Sequence, residues 1–239
     1  MKRPALTYAR LCQTDMGPVS LKSARSPLGA DIYTVLRTDG SQTDDLLWVG
    51  KDAAGKPQRV LFCCASYRVV LSPSRAWVCR RDKTDAALFC PPEKKDLLCV
   101  LLKPNAVVRD STARALTGPA LLSFFETLAA DPGQTVDAQE SYVTSTRRIN
   151  RGLSSYFAVF EGDTPVSGGG IVAKNEKYAL IGDLYTNPAY RGGGYASAVL
   201  CACEAAAAAE NLTPVLYCDK KHARFYKQRG WRRVRKNEL

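Results

Sequence analysis

The chain has 239 residues, of which 46% are hydrophobic and 24% are charged, and this composition excludes an intrinsically disordered protein. No apolar run approaches the roughly 20 residues that a membrane-spanning helix needs, and no apolar stretch follows the N-terminal basic residues. Neither a membrane segment nor a signal peptide is therefore predicted, and a cytoplasmic protein is expected. The formal net charge of +11 would suit nucleic acid or a small polyanion, but the basic residues are dispersed, which makes nucleic acid the less favoured partner.

The nine cysteines indicate neither a disulfide framework nor a metal site. An odd number without regular spacing argues against paired disulfides, and Cys201 and Cys203 have no second Cys or His pair that would complete a zinc site. We therefore expect no bound metal and interpret the thiols as small, buried apolar side chains.

The first 103 residues predict a β-rich N-terminal region. Short apolar runs bounded by polar residues or proline are typical of strands, and they occur at residues 32–36, 46–49, 59–71, 76–79, 86–90 and 97–102. Residues 46–70 have the strand, glycine turn and strand that recur at residues 156–173. This similarity leaves open the alternative that the region is a degenerate copy of the domain that follows it.

A second domain is predicted from residue 104 to residue 239, after the break at Lys103-Pro104-Asn105. Its predicted helices cover residues 119–130, 137–150, 194–211 and 222–228, and its predicted strands cover residues 106–108, 156–160, 166–173, 178–186 and 215–218. Helices and strands interspersed in this order predict an α/β architecture.

Three successive glycines lie where the strand 178–186 leads into the helix that follows it. Glycine lacks the Cβ atom that would keep a ligand away from the backbone, and the first turn of a helix offers unpaired N–H groups at a positive dipole end. Such a turn can hold a pyrophosphate, although a tight connection would show the same glycines.

The residues around this turn resemble the GNAT family of N-acetyltransferases. Arg191, Gly194 and Ala196 occupy the positions of the family's Arg/Gln-x-x-Gly-x-Gly/Ala signature. Downstream, Phe225-Tyr226 and Gly230-Trp231 are similar to the family's second signature, an aromatic-Tyr helix that ends in Gly-aromatic. The resemblance covers residues 104 to 239 and implies a mixed, mostly antiparallel sheet flanked by helices.

The resemblance also implies functional residues. The family's site would place the pyrophosphate of acetyl-CoA on the N–H groups of Arg191, Gly192, Gly193, Gly194, Tyr195 and Ala196, and its pantetheine arm on the backbone of Leu184, Tyr185 and Thr186. Tyr226 would be the general acid that protonates the leaving thiolate, and a tyrosine packed in the core is the alternative. Asp183 would accept the proton of the amine, and an exposed or salt-bridged strand acid is the alternative.

Two departures from the family pattern affect the substrate cleft more than the cofactor site. Asp219 and His222 stand where the family usually has an asparagine and a small residue, and we leave His222 outside the catalytic set. Only residues 231–239 follow the second signature. The final strand would therefore be missing, or supplied by the N-terminal region or by a second subunit, which makes a homodimer one alternative.

The resemblance implies an N-acetyltransferase in which a primary amine attacks the thioester of acetyl-CoA directly. No cysteine of the predicted second domain stands at a motif position, so no covalent acyl-enzyme is expected. The acceptor amine is not identified by the sequence, and the basic composition favours an acidic or carboxylate-bearing one. The alternative function is a non-catalytic module that senses coenzyme A or binds nucleic acid.

Overall fold

The computed structural model of the protein describes residues 7–10, 16–38, 47–64, 67–72, 76–80, 97–106, 110–134, 136–235 and 238. The chain divides into two compact units: unit 1 contains Met1–Leu101 and Tyr217–Leu239, and unit 2 contains Leu102–Leu216. The division of the sequence into domains at residues 1–103 and 104–239 stays a prediction. None of the helices in the described residues is long and apolar enough to cross a membrane.

The described residues form strands and helices throughout both units. The helices are α1 (Met16–Ser23), α2 (Ala30–Thr38), α3 (Gly118–Ala129), α4 (Ala138–Asn150), α5 (Tyr195–Ala209) and α6 (Ala223–Lys227). The strands are β1 (Thr7–Arg10), β2 (Leu47–Lys51), β3 (Pro57–Cys63), β4 (Tyr67–Leu71), β5 (Ala76–Arg80), β6 (Cys99–Leu102), β7 (Arg114–Leu116), β8 (Ser155–Glu161), β9 (Thr164–Lys174), β10 (Tyr178–Thr186), β11 (Thr213–Cys218) and β12 (Arg232–Arg233).

Unit 1 is built on an antiparallel sheet in the order β1-β2-β3-β4-β5. Side chains from α1, α2 and one face of these strands form its main hydrophobic core, which includes Val19, Leu28, Ile32, Val35, Leu47, Val49, Val60, Phe62, Val69, Leu71 and Val78. The predicted β-rich N-terminal region is therefore confirmed. The chain's last short strand, β12, neighbours β6, and the N–H of Val234 donates to the carbonyl oxygen of Val100 over 3.1 Å.

Two predictions for this unit were wrong, and a third cannot be judged. Residues 32–36 belong to helix α2 and not to a strand. The apolar run 32–36 is too short to distinguish a strand from a helix by itself. The polar residues that flank and interrupt it at helical spacing, Asp31, Thr34 and Thr38, indicate the helix, and they too are buried. Residues 59–71 are not one strand but the paired strands β3 and β4. The predicted strand at residues 86–90 lies outside the described residues.

Unit 2 contains the strands of a second sheet in the order β11-β10-β9-β8-β7. β10 and β11 are parallel, and the other pairs are antiparallel. Helix α5 packs on β8, β9 and β10, and α3 packs on α4 and β9. The predicted mixed, mostly antiparallel sheet flanked by helices is therefore confirmed. Of the short strand predicted at 106–108, residue 106 is not in a strand and residues 107–108 lie outside the described part.

Glycines in β9 allow its neighbours to approach closely. A Cβ atom on Gly168 would lie 2.4 Å from Cε2 of Phe124, so α3 can pack against the sheet only because that side chain is absent. A Cβ atom on Gly170 would lie 2.5 Å from the carbonyl oxygen of Ser155 and 2.7 Å from the ring of Tyr156. This second glycine leaves the space in which the Tyr156 ring lies.

Candidate functional site

A bulge in β10 gives Asp183 an unusual backbone conformation. The pairing of β10 with β9 shifts register between Gly182 and Tyr185, and Asp183 has a φ of 53°, in the left-handed region. Residues other than glycine seldom adopt this conformation, and aspartate is among those that tolerate it best. A bulge re-aims the side chain at its position, and here that side chain is the predicted proton acceptor.

The other edge of β10 is paired over only part of its length. Its parallel ladder with β11 joins residues 178–181 to residues 213–216 and ends at Ile181 and Leu216. Residues 182–186 continue β10 beyond that ladder. The predicted pantetheine-binding residues Leu184, Tyr185 and Thr186 therefore lie on a part of the strand that β11 does not pair with along the described ladder.

A chain of hydrogen bonds ends at the carboxylate of Asp183. The hydroxyl of Tyr156 donates to Asp183 Oδ2 over 2.7 Å, and Ser145 Oγ donates to the hydroxyl oxygen of Tyr156 over 3.2 Å. Tyr156 and Ser145 are both buried, whereas Asp183 is itself exposed to solvent. The hydrogen bonds therefore connect Asp183, an exposed residue, to the interior of unit 2.

The surroundings of Asp183 act on its pKa in opposite directions. Desolvation by the surrounding protein raises the pKa of the carboxyl group, while the hydrogen bond from Tyr156 and the charge of Arg148 lower it, with a net rise above the ordinary value. Burial and the nearby Asp183 charge raise the pKa of Tyr156 well above its ordinary value, so the phenol stays protonated. A carboxylate with a raised pKa is better suited to accept a proton near neutral pH than an ordinary aspartate is.

The strand-to-helix connection is ordered by side-chain hydrogen bonds. Asn187 Oδ1 accepts from the N–H of Ala189 over 3.1 Å at the start of a 3₁₀ turn, Pro188–Tyr190. Arg191 Nε then donates to the carbonyl oxygen of Thr186 over 3.1 Å, and its guanidinium lies 3.7 Å from a carboxylate oxygen of Asp131. These contacts tie the turn to the end of β10.

The glycines of the turn have the backbone conformations that only glycine adopts readily. Gly192 has a φ of 88° and Gly194 a φ of 84°, and α5 begins at the next residue, Tyr195. Within the described residues, the five N–H groups from Gly192 to Ala196 have no hydrogen-bond acceptor. Since α5 is 15 residues long, its dipole adds a positive potential at this end. The turn is therefore suited to bind an anion.

Tyr226 lies in unit 1, on the short helix α6. Its ring packs edge-on against Trp231, with ring centroids 6.0 Å apart, and its hydroxyl has no hydrogen-bond partner in the described part of the chain. Burial, followed by the neighbouring Cys218, raises the pKa of Tyr226 to about 12. His222 is exposed at the N-cap of the same helix.

The predicted site residues therefore fall in both units. Unit 2 places Asp183, residues 184–186 and the turn 191–196 on one continuous segment, and Tyr226 lies in unit 1. The roles predicted for all of these residues stay predictions. Sequence reasoning did not identify Tyr156, Ser145 or Arg148. The run of three glycines, residues 168–170, is the one local signal that could have indicated a close approach to β9, and it does not name the side chain that makes it.

Comparisons with known proteins give one family. Residues 121–231 match the family described as "Acetyltransferase (GNAT) family". An acetyltransferase of the GNAT family from Colwellia psychrerythraea has a similar structure, with a TM-score of 0.58 and 11% identity over 96% of each chain. A GCN5-related N-acetyltransferase from Sphaerobacter thermophilus is also similar, with a TM-score of 0.56 and 12% identity over 96% of this chain and 92% of that one. At these identities the likeness shows the fold alone. No curated protein matches the sequence.

Proposed function

Because residues 121–231 are a domain of the acetyltransferase (GNAT) family, we propose that the protein transfers the acetyl group of acetyl-CoA to a primary amine. The observation that carries the proposal is the glycine turn at the start of α5. Five successive N–H groups without acceptors in the described residues, two of them on glycines with positive φ, fit a pyrophosphate group. Acetyl-CoA carries such a group and supplies the activated acetyl thioester.

Binding is assigned to the same segment of unit 2. The N–H groups of residues 192–196 hold the pyrophosphate, and residues 184–186 pair with the pantetheine arm as an added strand would. The N–H of Arg191 donates to the carbonyl oxygen of Pro188 and is not part of this set. This assignment is supported by the ladder between β10 and β11, which ends before residue 182. Arg191 supports the turn through its bond to Thr186, so its side chain fixes the position of the N–H groups.

Asp183 is proposed as the proton acceptor of the reaction. The amine nitrogen forms a bond to the thioester carbonyl carbon, and its proton passes to Asp183 directly or through water. Asp183 is an exposed residue, and its Oδ1 has no hydrogen-bond partner within the described residues. Its raised pKa brings it closer to the working pH of a general base.

Tyr226 is proposed as the proton donor of the reaction. When the carbon–sulfur bond breaks, the departing thiolate takes a proton from the phenol. A pKa of about 12 keeps the hydroxyl protonated at neutral pH, and an unpaired hydroxyl is free to donate. A thiol like that of cysteine has a pKa of about 8.5, so the thiolate is a weaker base than the phenolate of Tyr226. Tyr226 therefore first stabilises the departing thiolate by donating a hydrogen bond, and the thiolate gains its proton through that bond or from water.

Direct attack by the amine is supported by the buried thiols of Cys203 and Cys218. Burial raises the pKa of the Cys203 thiol far above its usual range, and it raises the pKa of Cys218 to about 12. A cysteine must ionise to be an effective nucleophile, so neither of these residues is suited to form an acyl-enzyme. Because none of the cysteines of residues 104–239, Cys201 included, stands at a motif position either, the proposal is a single transfer of the acetyl group from donor to amine.

The experiment that tests the proposed function has two stages. Mass spectrometry of the purified protein is expected to detect co-purified acetyl-CoA, and a panel of amines is then assayed for release of free thiol. Asp183→Asn should lower turnover and leave acetyl-CoA affinity nearly unchanged, whereas Gly194→Val should abolish that affinity. Acetyl-CoA binding without turnover of any amine would instead favour a sensor. Strongly salt-dependent binding to random duplex DNA would favour a nucleic-acid-binding module.

A further inference from the structure

We propose that Tyr156 is a positioning residue of this site, and that its hydroxyl holds Asp183 in the orientation in which one carboxylate oxygen stays free to accept the proton of the amine. The inference rests on the proposed function for its catalytic meaning. It names a residue that lies two strands away from Asp183 and belongs to neither signature of the sequence.

The sheet register shows how Tyr156 reaches Asp183. Tyr156 on β8 pairs with Gly170 on β9, and Gly170 pairs with Gly182 on β10, next to Asp183. The tyrosine ring extends over the middle strand because Gly170 has no side chain, and a Cβ atom there would lie 2.7 Å from the ring. The contact between Tyr156 and Asp183 therefore requires a glycine at position 170 of the middle strand.

Packing and hydrogen bonding fix the phenol at both ends. The ring is only 3% exposed and lies edge-on to Phe125, with centroids 5.4 Å apart. Ser145, on α4, donates to the phenolic oxygen, so the single hydroxyl hydrogen of Tyr156 is directed to Asp183 Oδ2. In the described residues Oδ1 accepts no hydrogen bond, and it is the oxygen left for the amine.

Two groups in the described residues lower the pKa of Asp183. One is the Tyr156 hydroxyl, and the other is the guanidinium of Arg148, which is held by a 3.1 Å bond to the carbonyl oxygen of Val172. Both stabilise the ionised carboxylate and oppose the desolvation that raises its pKa. Removal of the Tyr156 hydroxyl should therefore raise the pKa of Asp183 further. If Tyr156 had only a packing role, the same removal would leave the pKa of Asp183 unchanged.

The first test measures that pKa without any enzymatic reaction. Aspartate carboxyl carbons are labelled with ¹³C, the resonance of Asp183 is assigned by its loss in Asp183→Asn, and its titration is followed by NMR. We expect Tyr156→Phe to raise the pKa of Asp183 by about 1 unit, the lower range for loss of a hydrogen bond to a charged group. The matched control is Tyr142→Phe on α4, because that hydroxyl has no hydrogen-bond partner in the described residues and its ring packs on the same core cluster.

The second test links the shift to turnover. For an amine found from the panel, the acid limb of the kcat profile should move to higher pH in Tyr156→Phe by the same amount as the NMR titration, while KM for acetyl-CoA stays within about twofold. Ser145→Ala, which removes only the donor to Tyr156, should give a smaller shift in the same direction and serves if the first variant does not fold.

The outcomes separate this inference from the proposed function. An unchanged Asp183 titration in folded Tyr156→Phe, or in folded Ser145→Ala if the first variant does not fold, overturns the positioning role even if the wild type is an active acetyltransferase. A shifted titration in a protein that turns over no amine supports the contact and refutes its use in acetyl transfer.

Discussion

Replacement of Tyr226 by phenylalanine removes one oxygen atom and keeps the ring that packs on Trp231. With a pKa of about 12, only about one molecule in 10⁴ has an ionised Tyr226 at pH 8, so the hydroxyl is a proton donor throughout the usual assay range. We expect turnover to fall on the order of 10²-fold, the low end for loss of a general acid. Acetyl-CoA affinity should change by less than about 10-fold, since a single hydrogen bond contributes about 0.5–1.5 kcal/mol net.

The structure also predicts what this substitution leaves unchanged. Tyr226 is half-buried and its hydroxyl has no hydrogen-bond partner in the described residues, so its removal should leave the free energy of unfolding in urea nearly unchanged. The loss of turnover should shrink for a thioester whose leaving thiol is more acidic, because that thiolate departs with less help. Tyr142→Phe is the control for loss of one phenol hydroxyl. If Tyr226→Phe turned over acetyl-CoA and the thioester with the more acidic thiol as fast as the wild type does, Tyr226 would be only a packing residue.

Three further predictions follow from backbone and charge. Gly194→Ala forces an alanine into the left-handed region and should lower the free energy of unfolding by about 1–2 kcal/mol, and calorimetry should show weaker acetyl-CoA binding. Gly170→Ala places a Cβ atom 2.5 Å from the carbonyl oxygen of Ser155 and should destabilise the protein to urea by about 1–3 kcal/mol. The pair of Glu238 with Arg232 lowers the pKa of Glu238 to about 2, so its stabilisation, less than about 1 kcal/mol at this partly exposed site, is present above pH 4.5 and is lost as the pH falls towards 2.

Each of these predictions has a control. Gly17→Ala adds a Cβ atom in open space on helix α1 and should be neutral or mildly stabilising, in contrast to both other glycine substitutions. Unchanged acetyl-CoA affinity in folded Gly194→Ala would remove the turn from the binding site. Wild-type stability of Gly170→Ala would contradict the close approach over β9. Glu238→Gln should reduce the stability difference between pH 6 and pH 3, and an unaltered difference would assign the acid sensitivity to other groups.

Much of unit 2 was predictable because its local signals agree with its tertiary structure. Pro119 near the start of α3, Asp137 as the N-cap of α4 and the glycines before α5 are local features with known conformations. The strand at 32–36 was wrongly predicted because a short buried helix and a short buried strand have the same apolar composition. Only the packing of α1 and α2 on the sheet of unit 1 decides between them.

The sequence by itself determined the strand, glycine turn and helix on which the proposed pyrophosphate site is built, because positive φ angles and free N–H groups depend on residues adjacent in the chain. It also determined the two signatures that indicate the family. The environment of Asp183 was decided by tertiary structure alone. The bulge in β10 and the register of three strands bring Tyr156 to a carboxylate 27 residues further along the chain. Such a contact depends on the register of three strands, which leaves no local pattern in the sequence, and on a glycine whose neighbours only that register decides.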